Sequence, residues 1–314
     1  MNSDNITLSI CVPVYNHENY IIQALDSILM QKTKYSYEVW IGDDCSTDNT
    51  QALLKKNENK YTDNFHFIYR EKNLFNTSYT NIRDLRSRCT GKYVIILEGD
   101  DYWTDEYKIE KQIDFLESHP EYLAVAHNCV IVDEKSMPKD EKYPECNETE
   151  YSFEHYASNI MPGQLATVMT RNIYADTSYD TSIMDIGISP GDRLLYFILL
   201  SYGKVYCIQE TMSAYRHITC SGSSYSANYK YIFEKEERWH SELLDYAYKI
   251  KNKTSVKYAE LLYFRCLGSG IKVRQLPVSK FMVYYKKSKY KIRNVFLFIK
   301  GKFNRIFLKK KVWY

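Results

Sequence analysis

The sequence predicts an α/β fold with a doubly wound, mostly parallel central sheet, followed by a helical and basic C-terminal extension. Strand-like and helix-like segments alternate through the first half, which is typical of a parallel sheet covered by helices on both faces. Polar and acidic clusters follow several of these strands, and strand signals become rare after residue 229. With 314 residues, of which 45% are hydrophobic, the chain can build one large α/β domain and an appendage.

The predicted elements of the first half follow the spacing of apolar residues. A first strand at 8–14 precedes a helix with apolar residues at positions 21, 22, 25, 28 and 29. Ser46, Thr47 and Asp48 are typical helix-start residues before a helix at 51–56, and Pro120 stops a helix at 108–118. The remaining predictions are strands at 37–41, 65–69, 93–97 and 123–132, and a helix at 79–88.

The second half is less regular. Residues 133–163 are polar and rich in Lys, Glu and Pro, which predicts a long surface loop, functional or mobile. Strands at 164–170 and 205–208 flank a helix at 192–202, and the pattern is helical from 229 onward.

Charge is distributed unevenly along the chain. Residues 272–314 contain 14 Lys and Arg and no Asp or Glu, which leaves 28 basic and 39 acidic residues, a net charge of −11, in residues 1–271. A basic tail mixed with Phe, Leu, Ile and Trp predicts contact with an anionic membrane surface. The alternative is that the tail packs on the rest of the chain. Nucleic acid is not expected as a partner, because no recognition motif accompanies the charge.

Targeting signals and cysteines indicate the compartment. The N-terminus lacks a basic segment followed by a long apolar one, so no signal peptide is predicted. No apolar run reaches the roughly 18 residues of a membrane-spanning helix. The eight cysteines show no C-x-x-C pair, which favours reduced thiols and a cytoplasmic protein.

The densest acidic cluster follows the predicted strand at 93–97. Glu98, Asp100 and Asp101 lie within four residues and would repel each other unless protons, water or a cation absorbed the charge. A hard divalent cation that holds a diphosphate is the simplest explanation. The alternative is an acidic turn that caps the next helix.

Other polar residues stand at further strand ends: Pro13 to Asn16, Asp43 with Asp44, and Asp192 at the start of a helix. Because the carboxyl ends of parallel strands share one crevice, we expect these residues to form one site with the acidic cluster. Each acid, taken alone, could equally be only a helix cap.

Five segments together resemble the family 2 inverting glycosyltransferases of the GT-A fold. They are CVPVYNHENYIIQALDSILMQ, YEVWIGDDCSTDNT, TGKYVIILEGDDYW, PGDRLLYFILLSYGKV and YRHITCSGS, in this order between residues 11 and 223. The resemblance implies the GT-A nucleotide-diphospho-sugar transferase fold over residues 1–225. Nucleotide-sugar binding is expected in 1–132, the acceptor side in 133–225, and a helical region with the membrane-facing tail in 226–314.

The resemblance also implies roles for single residues on the nucleotide side. Pro13, Tyr15 and Asn16 are expected in the loop that meets the nucleotide, together with Asp43 and Asp44. Asp43 would accept a hydrogen bond from the uracil ring.

Metal binding and catalysis are implied for the acidic residues. Asp100 matches the last acid of the family's D-x-D motif and would bind Mn²⁺ or Mg²⁺, with Glu98 in the place of the commoner Asp. His217 is a further metal ligand by resemblance. Asp192 would be the general base, and Gly191 stands where the family has a Glu.

The expected function is metal-dependent, inverting transfer of a sugar from a UDP-sugar to an acceptor hydroxyl. The acceptor would be a glycan or lipid-linked glycan of a surface polysaccharide pathway. The protein would work in the cytoplasm, peripherally on the inner face of the cell membrane. Two alternatives are a sugar nucleotidylyltransferase, although the chain lacks its Gly-rich phosphate loop, and a non-catalytic carbohydrate- or membrane-binding relative.

Overall fold

The computed structural model describes residues 6–75, 80–186, 191–218, 231–297 and 299. The first half alternates as predicted, except for an additional two-residue strand, β5. In chain order it contains β1 Leu8–Val14, α1 Ile21–Leu29, β2 Tyr37–Asp43, α2 Thr50–Asn57, β3 Phe65–Tyr69, α3 Asn81–Ser87, β4 Tyr93–Ile96, β5 Tyr102–Trp103, α4 Lys108–Ser118 and β6 Tyr122–Val132.

The second half continues with short elements and then long helices. They are β7 Glu150–Tyr151, α5 Phe153–Ala157, β8 Met169–Arg171, α6 Gly191–Tyr202, β9 Lys204–Arg216, α7 Phe233–Lys249, α8 Lys253–Lys272 and α9 Val278–Lys287. The helical C-terminal region is therefore confirmed. No helix in the described ranges is both long enough and apolar enough to cross a membrane.

The described strands form one sheet in the order β3-β2-β1-β4-β8-β6-β9-β5, and β7 pairs with β9. The pairs β3-β2, β2-β1, β1-β4 and β6-β9 are parallel. The antiparallel ladders at β8, β5 and β7 join only two residue pairs each. The sheet is thus mostly parallel, as the sequence predicts.

Alternating residues of β1 explain why helices cover both faces of the sheet. Leu8, Ile10 and Val12 pack in one apolar cluster with α1, whereas Cys11 packs on the other face with Leu85 of α3. Successive strand side chains point to opposite faces, so a strand with apolar residues on both faces requires cover on both.

The prediction of a surface loop at 133–163 is wrong for its second half. Cys146, Tyr151, Phe153, Tyr156 and Met161 are buried in the same cluster as α6. Apolar residues spaced among the charged ones fold this segment onto the helix, and their burial stabilises it.

Two predicted strands differ in extent. The strand at 164–170 is shortened because residues Leu165–Thr167 form a 3₁₀ turn, in which the Gln164 carbonyl accepts from the Thr167 backbone N–H at 2.8 Å. The strand at 205–208 extends over Lys204–Arg216, because β6 supplies a parallel partner along its length. This extension carries Arg216 to the carboxyl end of β4.

Candidate active site

Three parallel strands end side by side at the candidate site. Val14 of β1 pairs with Asp43 of β2, and the Gly99 backbone N–H, beyond β4, donates to the Pro13 carbonyl at 3.2 Å. The loops that carry the predicted nucleotide residues and the acidic cluster are therefore neighbours, as the parallel topology requires.

Asn16 fixes the loop after β1. Its backbone is left-handed, with φ of 56°, and its side-chain oxygen accepts from the Thr47 backbone N–H at 2.8 Å. The Asn16 N–H in turn donates to the Ser46 hydroxyl at 2.9 Å. Asn is among the few residues that tolerate this conformation, so Asn16 ties the first loop to the loop after β2. Pro13 and Tyr15 are partly buried beside it.

Asp43 and Asp44 are both held by their own chain. The Asp43 carboxylate is fully buried and accepts from the Ser46 hydroxyl at 2.5 Å and from the Gln51 amide at 3.0 Å. Asp44 accepts from the Leu74 N–H at 2.9 Å, and burial raises the pKa of its carboxyl. Both acids thus order the loops around the second strand; contact of Asp43 with a uracil ring stays a prediction.

The surroundings of the acidic cluster after β4 disfavour the charged forms of its carboxyl groups. Burial of the Glu98 carboxyl, with the charges of Asp100 and Asp192, raises its pKa to about 8. The pKa of the buried Asp101 is also raised, by burial and then by Asp100 and Glu98. The repulsion that the spacing predicts is therefore present.

Asp192 lies in the first turn of α6, and its charge contributes, after burial and Asp100, to the raised pKa of Glu98. One of its oxygens accepts from the Arg193 N–H at 2.7 Å, and burial raises its pKa. Gly191 is exposed, and a Cβ there would meet no described atom within 4 Å, so packing does not require glycine.

His217 follows β9 and pairs with an acid outside the cluster. Its Nδ1 hydrogen-bonds the Glu141 carboxylate at 2.8 Å, and its backbone N–H donates to the Val132 carbonyl at 3.0 Å. Metal binding by His217 stays a prediction. The serines at 221, 223 and 224 lie outside the described residues.

Sequence reasoning missed three residues that contact the acidic cluster. The Gln164 amide donates to Asp101 at 2.8 Å and to Glu98 at 3.2 Å. The Arg216 backbone N–H donates to Asp101 at 2.7 Å, and its guanidinium donates to the Asp100 carbonyl at 2.8 Å. His17 Nε2 lies 3.9 Å from an Asp100 oxygen. The sequence contains no pattern that identifies Gln164 as a site residue, because a single sequence does not show that positions 98 and 164 are neighbours in the fold.

Gly99 has a steric role in this arrangement. A Cβ at this position would lie 2.8 Å from Nδ1 of His17, so only glycine lets the histidine approach the acidic loop. Nδ1 is itself buried without a hydrogen-bond partner in the described part of the chain.

The donor set suits a hard divalent cation. Carboxylate oxygens are the ligands such cations prefer, and burial, followed by the charges of Asp100 and Asp192, raises the pKa of Glu98. Among the described residues, no group of three or more His, Cys, Asp or Glu is arranged to hold a metal. A cation on a nucleotide takes much of its coordination from phosphate and water, so one or two protein carboxylates suffice.

Comparison with known proteins relates the chain to one family. Residues 9–174 match the family described as Glycosyl transferase family 2. An uncharacterized protein of Mycobacterium tuberculosis is 33% identical over 211 residues, which are 67% of this chain and 58% of that protein. The chain thus spans little more than half the length of that relative.

A second relative and a solved structure agree with this assignment. The poly(ribitol-phosphate) beta-N-acetylglucosaminyltransferase TarS of Staphylococcus aureus is 32% identical over 112 residues, 35% of this chain and 19% of that protein. The crystal structure of S. aureus TarS 1–349 in complex with UDP-GlcNAc superposes with a TM-score of 0.59 at 17% identity, covering 94% of this chain and 81% of that one. At this identity the structural match shows a shared fold.

Proposed function

This chain belongs to glycosyl transferase family 2, and from that premise we propose that it transfers a sugar from a UDP-sugar to an acceptor hydroxyl with inversion. The single observation that supports the proposal is that the charge of Asp192, at the start of α6, acts on Glu98, which follows β4 beside the end of the parallel strand β1. A base and a diphosphate site must flank the same sugar carbon in an inverting transfer.

The donor side of the proposal assigns the nucleotide to Pro13, Tyr15, Asn16, Asp43 and Asp44. Asp100 and Glu98 would hold Mn²⁺ or Mg²⁺, with His217 as a further ligand. When bound, such a cation stabilises the charge that builds on the diphosphate as the sugar leaves. The titration of Glu98 supports its assignment, because a carboxyl with a pKa of about 8 binds a proton that a cation can replace.

On the acceptor side, Asp192 would remove the proton from the attacking hydroxyl. Burial raises its pKa toward the operating pH, which suits a general base. The acceptor we propose is a glycan or lipid-linked glycan of a surface polysaccharide. The name of TarS, a poly(ribitol-phosphate) beta-N-acetylglucosaminyltransferase, supports a polymeric acceptor.

The C-terminal region supports a further part of the proposal, peripheral attachment to the anionic inner face of the cell membrane from the cytoplasm. Ile292, Phe296 and Ile299 recur at i, i+4 and i+7 and are 80%, 64% and 58% exposed. Val278 and Val283 of α9 are 59% and 56% exposed. Exposed apolar rows in a segment with 14 basic and no acidic residues fit an anionic lipid surface.

The test is thermal unfolding with a panel of nucleotide sugars, with and without Mn²⁺. A UDP-sugar with Mn²⁺ should raise the melting temperature, since ligand at 100 times its dissociation constant stabilises the fold by about 2.7 kcal/mol. Asp100→Ala should keep the fold and lose this shift. If no nucleotide stabilises the wild type, or Asp100→Ala retains the full Mn²⁺-dependent shift, the proposal is wrong.

A donor hydrolysis assay separates the alternatives. A transferase releases UDP slowly from its donor, whereas a nucleotidylyltransferase cleaves the sugar nucleotide with pyrophosphate to a nucleoside triphosphate and a sugar phosphate. A binding protein without catalysis would show the thermal shift and no turnover.

A further inference from the structure

Gln164 is buried beside the acidic cluster although its position lies 63 residues from Asp101 in the chain. Its Nε2 donates to Asp101 Oδ2 at 2.8 Å and to Glu98 Oε2 at 3.2 Å. Its Oε1 accepts from the Ala166 backbone N–H at 2.7 Å. Since the oxygen end faces an N–H donor, the amide can only turn its NH₂ group toward the two acids.

We infer that Gln164 is a positioning residue, whose amide fixes the carboxylates of Glu98 and Asp101 so that Glu98 and Asp100 present their oxygens to a cation–diphosphate ligand. The inference rests on the proposed function and adds a residue to its site.

The hydrogen bonds divide the three acids into two groups. Both oxygens of Asp101 are engaged, one by Gln164 and the other by the Arg216 backbone N–H at 2.7 Å. Glu98 Oε1, in contrast, accepts no hydrogen bond from the described residues, and the Asp100 carboxylate has only His17 at 3.9 Å. Asp101 therefore anchors the loop, while Glu98 and Asp100 keep oxygens for a ligand.

A neutral amide suits this task better than a charged group. It donates one N–H to each carboxylate and so holds two repelling acids together. A lysine in its place would neutralise the charge that attracts the cation. Partners of metal-ligating carboxylates of this kind typically contribute 10–100-fold in metal affinity or activity.

A purely structural role is the competing explanation, since Gln164 also begins the 3₁₀ turn Leu165–Thr167. Gln112 is a matched control. It is fully buried, its amide donates to the carbonyls of Val125 and Thr167 at 3.0 and 2.8 Å, and its oxygen accepts from Lys108. It differs from Gln164 in touching no acid of the site.

The experiment compares Gln164→Met, Gln164→Asn and Gln112→Met by calorimetric titration of UDP with and without Mn²⁺, and by Mn²⁺ electron paramagnetic resonance. We expect Gln164→Met to raise the dissociation constant of UDP with Mn²⁺ about 10–100-fold and to leave metal-free UDP binding unchanged. Gln164→Asn keeps an amide but withdraws it by one methylene, so a smaller loss is expected. Gln112→Met should lower thermal stability without changing the dissociation constant.

Unchanged Mn²⁺-dependent affinity in Gln164→Met, or in Gln164→Asn if the first variant does not fold, overturns the inference and leaves the proposed function standing. Equal losses in Gln164→Met and Gln112→Met would also overturn it, because any buried glutamine would then have the same effect. If the wild-type protein does not bind UDP in the presence of Mn²⁺, the proposed function is wrong, and the inference that rests on it is wrong as well.

Discussion

At the scale of single residues, the candidate site is a group of acids whose charged forms are disfavoured. Glu98, Asp101 and Asp192 all have carboxyl groups whose pKa is raised, and in each the largest cause is burial. A folded protein tolerates such groups either by binding protons or by binding a cation.

Asp192→Asn is expected to separate binding from catalysis. Its side-chain oxygen can still accept from the Arg193 N–H, but it no longer accepts a proton. Donor affinity should stay near wild type while transfer falls about 10²–10⁴-fold, the usual contribution of positioned proton transfer. The low-pH limb of the pH–rate profile, where protonation of the base slows the reaction, should disappear as well. Near wild-type turnover at saturating donor and acceptor would remove Asp192 from the mechanism.

The titration of Glu98 predicts how stability depends on pH. Its pKa in the folded protein, about 8, lies above the ordinary value of 4.5, so the folded state binds more protons between these values. The free energy of unfolding of the metal-free protein should therefore fall as pH rises from about 4.5 to about 8. Asp101 and Asp192 act in the same direction.

Melting temperatures across this pH range check the prediction. Glu98→Gln should flatten the decline, whereas Glu71→Gln, at an exposed position outside the site, should not change it. Mn²⁺ with UDP should also flatten it in the wild type. An identical decline in Glu98→Gln would show that Glu98 is not the group responsible.

At the scale of elements, a buried acid of α8 hydrogen-bonds the residues that follow α9. Glu260 of α8 is 1% exposed and accepts from the Ser288 hydroxyl at 2.7 Å and from the backbone N–H groups of Lys289 and Tyr290 at 3.1 and 3.0 Å. Truncation before α9 would leave this carboxylate buried with fewer partners, which is strongly destabilising. Point substitutions on the exposed faces are therefore the better test of membrane contact.

Phe296→Ser should weaken binding to anionic vesicles about 10-fold or more, since burial of a Phe side chain stabilises by about 1.5–3 kcal/mol. Phe75→Ser is the matched control, because Phe75 is also highly exposed, at 77%, but lies in the loop after β3. Binding measured by vesicle co-sedimentation should also weaken as ionic strength rises. Equal binding of wild type and Phe296→Ser, or no binding of the wild type, would contradict membrane docking.

At the scale of the whole molecule, the two regions expected from the sequence share one apolar core. Trp239 and Leu243 of α7 and Leu261 of α8 pack in the same cluster as Leu195 and Phe197 of α6. A boundary near residue 225 would therefore cut through packed side chains. Removing the C-terminal helices should expose the apolar surface of α6.

We expect a fragment of residues 1–225 not to fold as an independent unit. Circular dichroism and thermal unfolding should show a loss of cooperative melting in the fragment, while the full chain melts in one transition. A fragment of residues 1–297 keeps α7 to α9 and serves as the control, with melting expected close to that of the full chain. Cooperative melting of the 1–225 fragment near the wild-type melting temperature would show that residues 1–225 fold as an independent domain.

Apart from the two-residue strand β5, the sequence by itself determined the order of strands and helices through β6 and the place of the acidic cluster at a strand end. These features are local, because apolar spacing sets the element and a parallel sheet brings strand ends together. The wrong prediction concerns a segment whose local polarity indicates exposure, whereas its packing against distant residues buries part of it. Residues 133–163 are polar on average, yet Phe153 and Tyr156 have buried places on α6.

Only the tertiary structure decided which distant groups meet the acids. Gln164 and Arg216 reach Asp101 because β8 and β9 join the sheet beyond β4, and no local pattern encodes that strand order. The pKa of Glu98 likewise depends on Asp192, which is 94 positions away in the sequence and becomes a neighbour only on folding. Repulsion and burial act through space, so their effect on each carboxyl follows from the fold.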